Sequence, residues 1–432
     1  MTASDGGAAD AGTVNAPDGG AVTGPDGGIP DAGAAGNADA GSGSGATDAG
    51  TPADAGTPPP ADGGTGGASA CEGIVPATLG TDIVHSTFIS GTDNQACGMP
   101  AGNGDGFVAY GTTTTSSVSW TLLDPTGGEH GTVGAHNGDL LPAAAGFVLH
   151  SGDSSFLLQV TGYDDVGTML GRSAVNGHAL FARNPAGGVF AAGPLTAANV
   201  LPDPGTPAVA IMFNDDGTVR YGPVSLGERA VLGVGVDRLG RAVVIFDGAD
   251  ASGNGAFSAI WLDPGGGLLT ADFEVLSGAP NNGFTHFETS ALAGSGLALS
   301  RVEDHVTGVR TSEWVALLPS GAASSEAAPT WLTSRPNTTF ELVRGGRAYA
   351  FLPRAAALDH CSQQVDLVAV SGDSCGSVSF VVDSAACTSR DLRVGLDGTI
   401  LQMLPNDREP NECPARCDVV SCTLRFWPAV LH

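Results

Sequence analysis

Residues 230–275 decide the fold. Ala230–Asp237 reads AVLGVGVD, Arg238–Gly240 reads RLG and Arg241–Phe246 reads RAVVIF; a polar loop over Asp247–Gly255 follows. Phe257–Leu262 then reads FSAIWL, Asp263–Gly267 reads DPGGG and Leu268–Val275 reads LLTADFEV. Four short runs rich in β-branched, aromatic and small apolar residues are separated by turn chemistry, which predicts four strands. The turn residues fit that reading, because Pro fixes φ at about −65° and Gly accepts φ above zero. The stretch predicts a four-stranded antiparallel meander, the blade of a β-propeller.

Working outward, the same unit recurs after residue 100. One arm starts near Phe107, Phe147, Val189, Ala242, Leu297, Ala348 and Thr399, at steps of 40, 42, 53, 55, 51 and 51 residues. The partner arm starts near Val118, Phe156, Ala208, Phe257, Glu313, Val365 and Thr423. A period of that size built from strands marks a propeller or array. Trp120, Trp261, Trp314 and Trp427 fall on third strands, where a large ring fills the wedge between neighbouring blades. The last unit has three strands, over Asp391–Leu396, Thr399–Leu404 and Thr423–Leu431. A ring missing one strand leaves an exposed edge. The stretch from Ile74 to Ser90 is therefore expected to supply it, so that both ends of the chain share the last blade. The expected fold is all-β: a propeller of about seven four-stranded blades over 71–432, preceded by a disordered acidic tail over 1–70.

The tail is of a different kind. It holds no Phe, Tyr, Trp, Leu, Cys, Arg or Lys, and its nine acids are all Asp followed by Ala-Gly or Gly-Gly. Such a segment cannot bury enough apolar surface to offset the entropy of ordering. As a Gly-rich coil it would span about 45 Å root-mean-square. Net charge is −28; the residues after the tail keep 36 acids against 17 arginines, and lysine is absent. Both parts are acidic, which disfavours binding to nucleic acid or an anionic membrane surface.

The eight cysteines are Cys71, Cys97, Cys361, Cys375, Cys387, Cys413, Cys417 and Cys422. An even count grouped at the two ends of the domain points to disulfides and an oxidising compartment. Cys71 is expected to pair with Cys97 and the other six among themselves. Met1-Thr2-Ala3-Ser4 lacks the basic start and apolar stretch of a signal peptide, so the signal is expected upstream of Met1. The reading is extracytoplasmic: secreted, periplasmic, or held peripherally at a membrane by a lipid anchor. The Asp-Ala-Gly and Asp-Gly-Gly tail followed by a Cys-bearing all-β domain resembles uncharacterised secreted or lipid-anchored surface proteins of myxobacteria. That resemblance implies a location rather than an activity.

In a propeller, the loops joining second to third strands share one face with the loops joining successive blades, and ligands are expected there. The late loops are rich in ionisable groups. One holds Arg301, Glu303, Asp304, His305 and Arg310, the next Arg354, Asp359 and His360, and the last Asp407, Arg408, Glu409 and Arg416. Solvated loop residues explain most of this. The expected contact set is Arg301, Asp304, His305, Arg354, Asp359, His360 and Arg408, with the arginines taking an acidic partner or sugar acid. Two imidazoles with flanking carboxylates, His305 and His360, make the alternative of a Zn²⁺ site. Glu303, Asp359 and Glu409 are the alternative catalytic carboxylates for a glycan hydrolase or lyase. Asp215-Asp216-Gly217 and Asn103-Gly104-Asp105-Gly106 resemble pieces of calcium loops without the full ligand ladder. No Gly-x-Ser-x-Gly elbow, His-Glu-x-x-His or phosphate-binding loop is present, which excludes several hydrolase and nucleotide-dependent classes.

The favoured function is a monomeric, cofactor-free binding module for a protein or glycan. The glycan-acting enzyme and a structural envelope component are the rivals. A deep central funnel with two converging carboxylates would favour the enzyme, and a flat or plugged one would favour binding.

Overall fold

The computed structural model describes residues 70–74, 76, 82–90, 96–113, 118–135, 138–152, 157–198, 200–203, 205–249, 255–277, 284–304, 310–319, 325–327, 329–335, 338–353, 362–381, 391–406, 419–428 and 430–431. Among them, strands gather into seven four-stranded antiparallel blades. Blade 1 comprises Ala96–Gly102, Val108–Thr113, Val118–Leu123 and Glu129–Ala135. Blade 2 comprises Gly138–Pro142, Phe147–Gly152, Leu157–Tyr163 and Met169–Gly177. Blade 3 comprises Leu180–Arg183, Val189–Ala197, Ala208–Phe213 and Val219–Gly227. Blade 4 comprises Val231–Val236, Ala242–Ala249, Gly255–Leu262 and Phe273–Ser277. Blade 5 comprises Phe284–Ala291, Leu297–Asp304, Arg310–Leu317 and Ser325–Ala327. Blade 6 comprises Thr338–Val343, Ala348–Pro353, Ser362–Ala369 and Ser374–Val381.

Blade 7 is built from both ends of the chain. Asp391–Val394, Ile400–Asn406 and Val419–Trp427 are its inner three strands, and Ile83–Ser90 is its outermost, paired from Ile83 opposite Phe426 to Ser90 opposite Val419. Blades 2 and 3 are further stitched together, because Leu195–Ala197 pairs with Val175–Gly177.

Ring closure follows from where the apolar side chains go. Successive residues of a strand face opposite sides, so each blade has two apolar faces, one for each neighbour. Seven buried clusters result, and each joins one consecutive pair of blades. Trp120 and Val133 meet Phe147 and Leu149 between blades 1 and 2. Val148 and Val160 meet Val189 and Phe213 between blades 2 and 3. Phe190 and Met212 meet Val244 and Phe246 between blades 3 and 4. Phe257 and Trp261 meet Leu299 and Val315 between blades 4 and 5. Trp314 meets Phe340 and Tyr349 between blades 5 and 6. Leu352 and Val365 meet Leu392 and Ile400 between blades 6 and 7. Met403 and Phe426 meet Val108 and Tyr110 between blades 7 and 1. The last of these completes the circle. The third-strand tryptophans lie in these wedges as expected, and Gly111 makes room for one of them. A Cβ at Gly111 would stand 3.0 Å from the Trp120 indole.

Three sequence expectations need correction. The fourth strand of blade 4 begins at Phe273, not Leu268. Leu269 donates its N–H to the Trp261 carbonyl, and the Thr270 hydroxyl accepts the Trp261 N–H at 3.0 Å in place of a backbone carbonyl, so these residues cap the third strand. A short helix, Thr330–Thr333, enters the otherwise all-strand series. Blade 5 has a fourth strand of only three residues, and the helix fills the wedge beside it with Leu332, while Trp331 stacks on Tyr349 at 4.9 Å.

The third correction is the disulfide. Cys71 is bonded to Cys375, not Cys97, with Cα atoms 5.1 Å apart, inside the range that a bridge needs. Cys97 opens the first strand of blade 1. The turn holding Cys71 lies instead on the outer strand of blade 6, where Ile74 is buried and Arg347 donates to the Glu72 carbonyl at 2.8 Å. Taking Cys375 also breaks the expected grouping of the six late cysteines. Cys97 and Cys422 are placed as strand backbone only, and Cys361, Cys387, Cys413 and Cys417 lie outside the described residues.

A charged site in the axial channel

The first strand of each blade lies nearest the axis. First strands of neighbouring blades touch one another, as those of blades 3 and 4, 4 and 5, 5 and 6, and 1 and 7 do. Six charged residues sit on these inner strands: Asp139 on blade 2, Arg183 on blade 3, Glu288 on blade 5, Glu341 on blade 6, and Asp391 and Arg393 on blade 7. The surrounding strands are apolar, so these positions are exceptions to the pattern that builds the ring.

Arg183 and Glu341 define the centre of the site. Blades 3 and 6 are as far apart as two blades of a seven-membered ring can be. Their side chains nevertheless interact electrostatically, and Arg393 acts on Glu341 as well. Such a meeting happens only across the axis. Glu341 is solvent-accessible yet stands amid dense surrounding protein, as a group on an axis-lining strand would. Burial pushes its carboxyl above the usual range, against the pull of the two guanidiniums. Burial likewise pulls Arg183 below its ordinary value, opposed by Glu341 and Asp215. Burial thus opposes ionisation of both groups, and their mutual attraction offsets part of it.

Turns hold this end of the channel. Arg183 immediately precedes the turn Asn184–Gly188, and Asp215 on the neighbouring turn accepts the Gly188 N–H at 2.6 Å. Asp237 is fully buried in the equivalent turn of blade 4, where it binds Arg241 and accepts the N–H of Gly296 from blade 5 at 3.1 Å. Arg238 reaches from that turn to the Ala293 carbonyl of blade 5 at 3.0 Å and the Gly345 carbonyl of blade 6 at 3.3 Å. Its guanidinium lies across the turns of three blades at one mouth of the channel. Toward the other mouth, Asp139 pairs in register with His150, which stacks on Phe181 at 3.9 Å. Burial lowers the His150 pKa, with Asp139 opposing.

Most of the site residues expected from sequence lie elsewhere or outside the description. Arg301 is not in a loop. It is inside the second strand of blade 5, 9% exposed, with its guanidinium 5.4 Å from the Phe257 ring centre. Glu303 and Asp304 end that same strand, and only their backbone is described. His305, Arg354, Asp359, His360, Arg408 and Glu409 lie outside the described residues. The calcium-like fragments are Asx turns. The Asn103 side-chain oxygen accepts the N–H groups of Asp105 and Phe107, its amide donates to Asp165, and Asp216 accepts from Thr218. Among the described residues no three His, Cys, Asp or Glu side chains converge as a metal site.

The axial residues were missed because loops, not inner strands, drew attention. A usable signal was present. LFAR (180–183), TTFELV (338–343) and DLRV (391–394) each carry one charge within three residues of the first-strand turn, where the other blades are neutral.

The fold and site define a class: a closed seven-bladed β-propeller with a charged axial channel. No family model matches the chain, and no curated protein matches it. Solved structures that resemble it include a streptogramin B lyase, at 11% identity and a TM-score of 0.38, covering 79% of this chain and 97% of that one. A eukaryotic initiation factor is 9% identical with a TM-score of 0.34, covering 78% and 87%. A mutant apocarotenoid oxygenase of Synechocystis is 14% identical with a TM-score of 0.35, covering 65% and 71%. At such distances neither the activity nor the site of any of them transfers to this chain.

Proposed function

We propose that this protein is a non-catalytic, extracytoplasmic binding module presented on a flexible acidic tether, and that its axial channel receives the acid group of a glycan. What carries this reading is that Arg183, Arg393 and Glu341 all sit on axis-lining first strands and lie near enough for both arginines to act electrostatically on the glutamate. An incoming carboxylate would bridge the two guanidiniums and relieve the enclosed Glu341 of part of its role as their counter-charge. Two arginines around one carboxylate suit anion capture; glycoside hydrolysis asks for two facing carboxylates. Arg238 lying over one mouth also fits a plugged channel rather than an open funnel. The Cys71–Cys375 bond supports an oxidising compartment. A lipid or secretory signal upstream would place the tether at the cell surface.

Calorimetric titration with oligogalacturonate tests the reading. Charge-assisted hydrogen bonds contribute about 1.5–3 kcal/mol each, so Arg183→Gln and Arg393→Gln should each weaken binding by roughly tenfold to a hundredfold. Accumulation of reducing ends or unsaturated products during the titration would replace this reading with a hydrolase or lyase. Tight binding that both substitutions leave intact would move the ligand out of the channel.

A further inference from the structure

A second site lies away from the channel, in the wedge between blades 1 and 2. A cleft of about 260 Å³ opens there, lined by Leu149, Ser151, Leu157, Gln159, Tyr163, Met169 and Arg172 on the blade 2 side. Strand register explains the wall. Leu149 stands opposite Thr161 and Ser151 opposite Gln159, while Thr161 stands opposite Arg172 and Tyr163 opposite Met169. All of them therefore project from the same face of blade 2, toward blade 1. Blades diverge outward, so the gap widens with distance from the axis. Trp120 and Val133 fill it near the core. Beyond them the backbone of Gly134, on the outer strand of blade 1, forms part of the opposite wall.

The chemistry of this wall is divided. Leu149 and Leu157 form an apolar floor, which Met169, 57% exposed, continues toward solvent. Arg172 is exposed and donates to the neutral Gln159 amide oxygen at 3.3 Å. Among the described residues it has no carboxylate partner, although the domain carries about two acids for each arginine. Burial raises the Tyr163 phenol above its usual pKa, so it remains a hydrogen-bond donor. A cation with no carboxylate partner among the described residues, beside an apolar floor in a concave site, fits a ligand with both characters.

We propose that the cleft between blades 1 and 2 binds a small amphipathic anion, with its apolar body on Leu149, Leu157 and Met169 and its acid group on Arg172. The fluorescent probe 8-anilinonaphthalene-1-sulfonate, an aromatic body bearing one sulfonate, tests this on the full chain, with octanoate and 1-octanol as competitors. Expected are saturable fluorescence at one probe per chain, displacement by octanoate and little displacement by 1-octanol. Arg172→Gln should weaken probe and octanoate about tenfold, and Ser151→Phe, which fills the cleft, should abolish the signal, each with an unchanged circular dichroism spectrum. Fluorescence identical in wild type and Arg172→Gln overturns the proposal whatever Ser151→Phe does to folding. Equal displacement by octanoate and 1-octanol overturns the anionic ligand class.

Discussion

At the scale of single residues, Glu341 is the most informative group in the molecule. Enclosure raises its pKa in the folded state, and Arg183 and Arg393 oppose the rise without cancelling it. In the unfolded chain a glutamate titrates at about 4.3. Between that value and the higher folded value, the folded state binds more protons than the unfolded one. Stability therefore falls as pH rises through this window and stays at the lower level above it. Glu341→Gln keeps a neutral group at every pH. The variant should match wild type below the window and exceed it at neutral pH, as read by Tm measured from pH 3.5 to 8. A variant less stable than wild type at neutral pH would show that the two guanidiniums outweigh enclosure. The isolated charges in LFAR and TTFELV were visible in the sequence, but their enclosure was not, because only the strand order shows that these segments face the axis. Arg301 erred the other way. Its acidic neighbours suggested a loop, whereas pairing with Phe287 and Glu313 extends the strand through it.

At the scale of elements, the N-terminal segment does two jobs. Ile83–Ser90 closes blade 7, and twelve residues earlier Cys71 locks the segment to blade 6. The bond joins residues 304 apart in sequence; constraining so long a loop in the unfolded chain contributes about 5–6 kcal/mol in the chain-entropy account. Reduction, or Cys71→Ser, should lower the urea midpoint by a corresponding margin, and reductant should have no further effect on that variant if this is the bond that matters. Strand closure was legible, since the last unit had three strands and the stretch before the first blade had strand character. The cysteine partner was not. Proximity in sequence favoured Cys97, but circular closure brings residue 71 beside the end of the chain rather than beside the first blade.

At the scale of the whole molecule, the number of blades was readable because each one repeats the same solution of four short strands and Gly-bearing turns, with a large third-strand ring in every blade but the sixth. Seven clusters joining seven pairs then leave no gap in the circle. Residues 66–432 form one compact unit, so removing residues 1–65 should leave Tm unchanged. Removing residues 1–90 should strip the outer strand from blade 7, expose the paired edge of Val419–Trp427 and yield aggregates on size-exclusion chromatography. A truncated chain that stays monomeric with the original Tm would show that blade 7 stands on three strands.

The position of Cys71 ahead of the closing strand has a mechanical consequence. Tension applied to the N-terminal chain arrives first at a covalent bond to blade 6. The hydrogen bonds between Ile83–Ser90 and Val419–Trp427 lie downstream of that anchor and are shielded from the pull. While the bond is intact, a load that would otherwise peel the circle open like a zip is passed into the body of a neighbouring sheet.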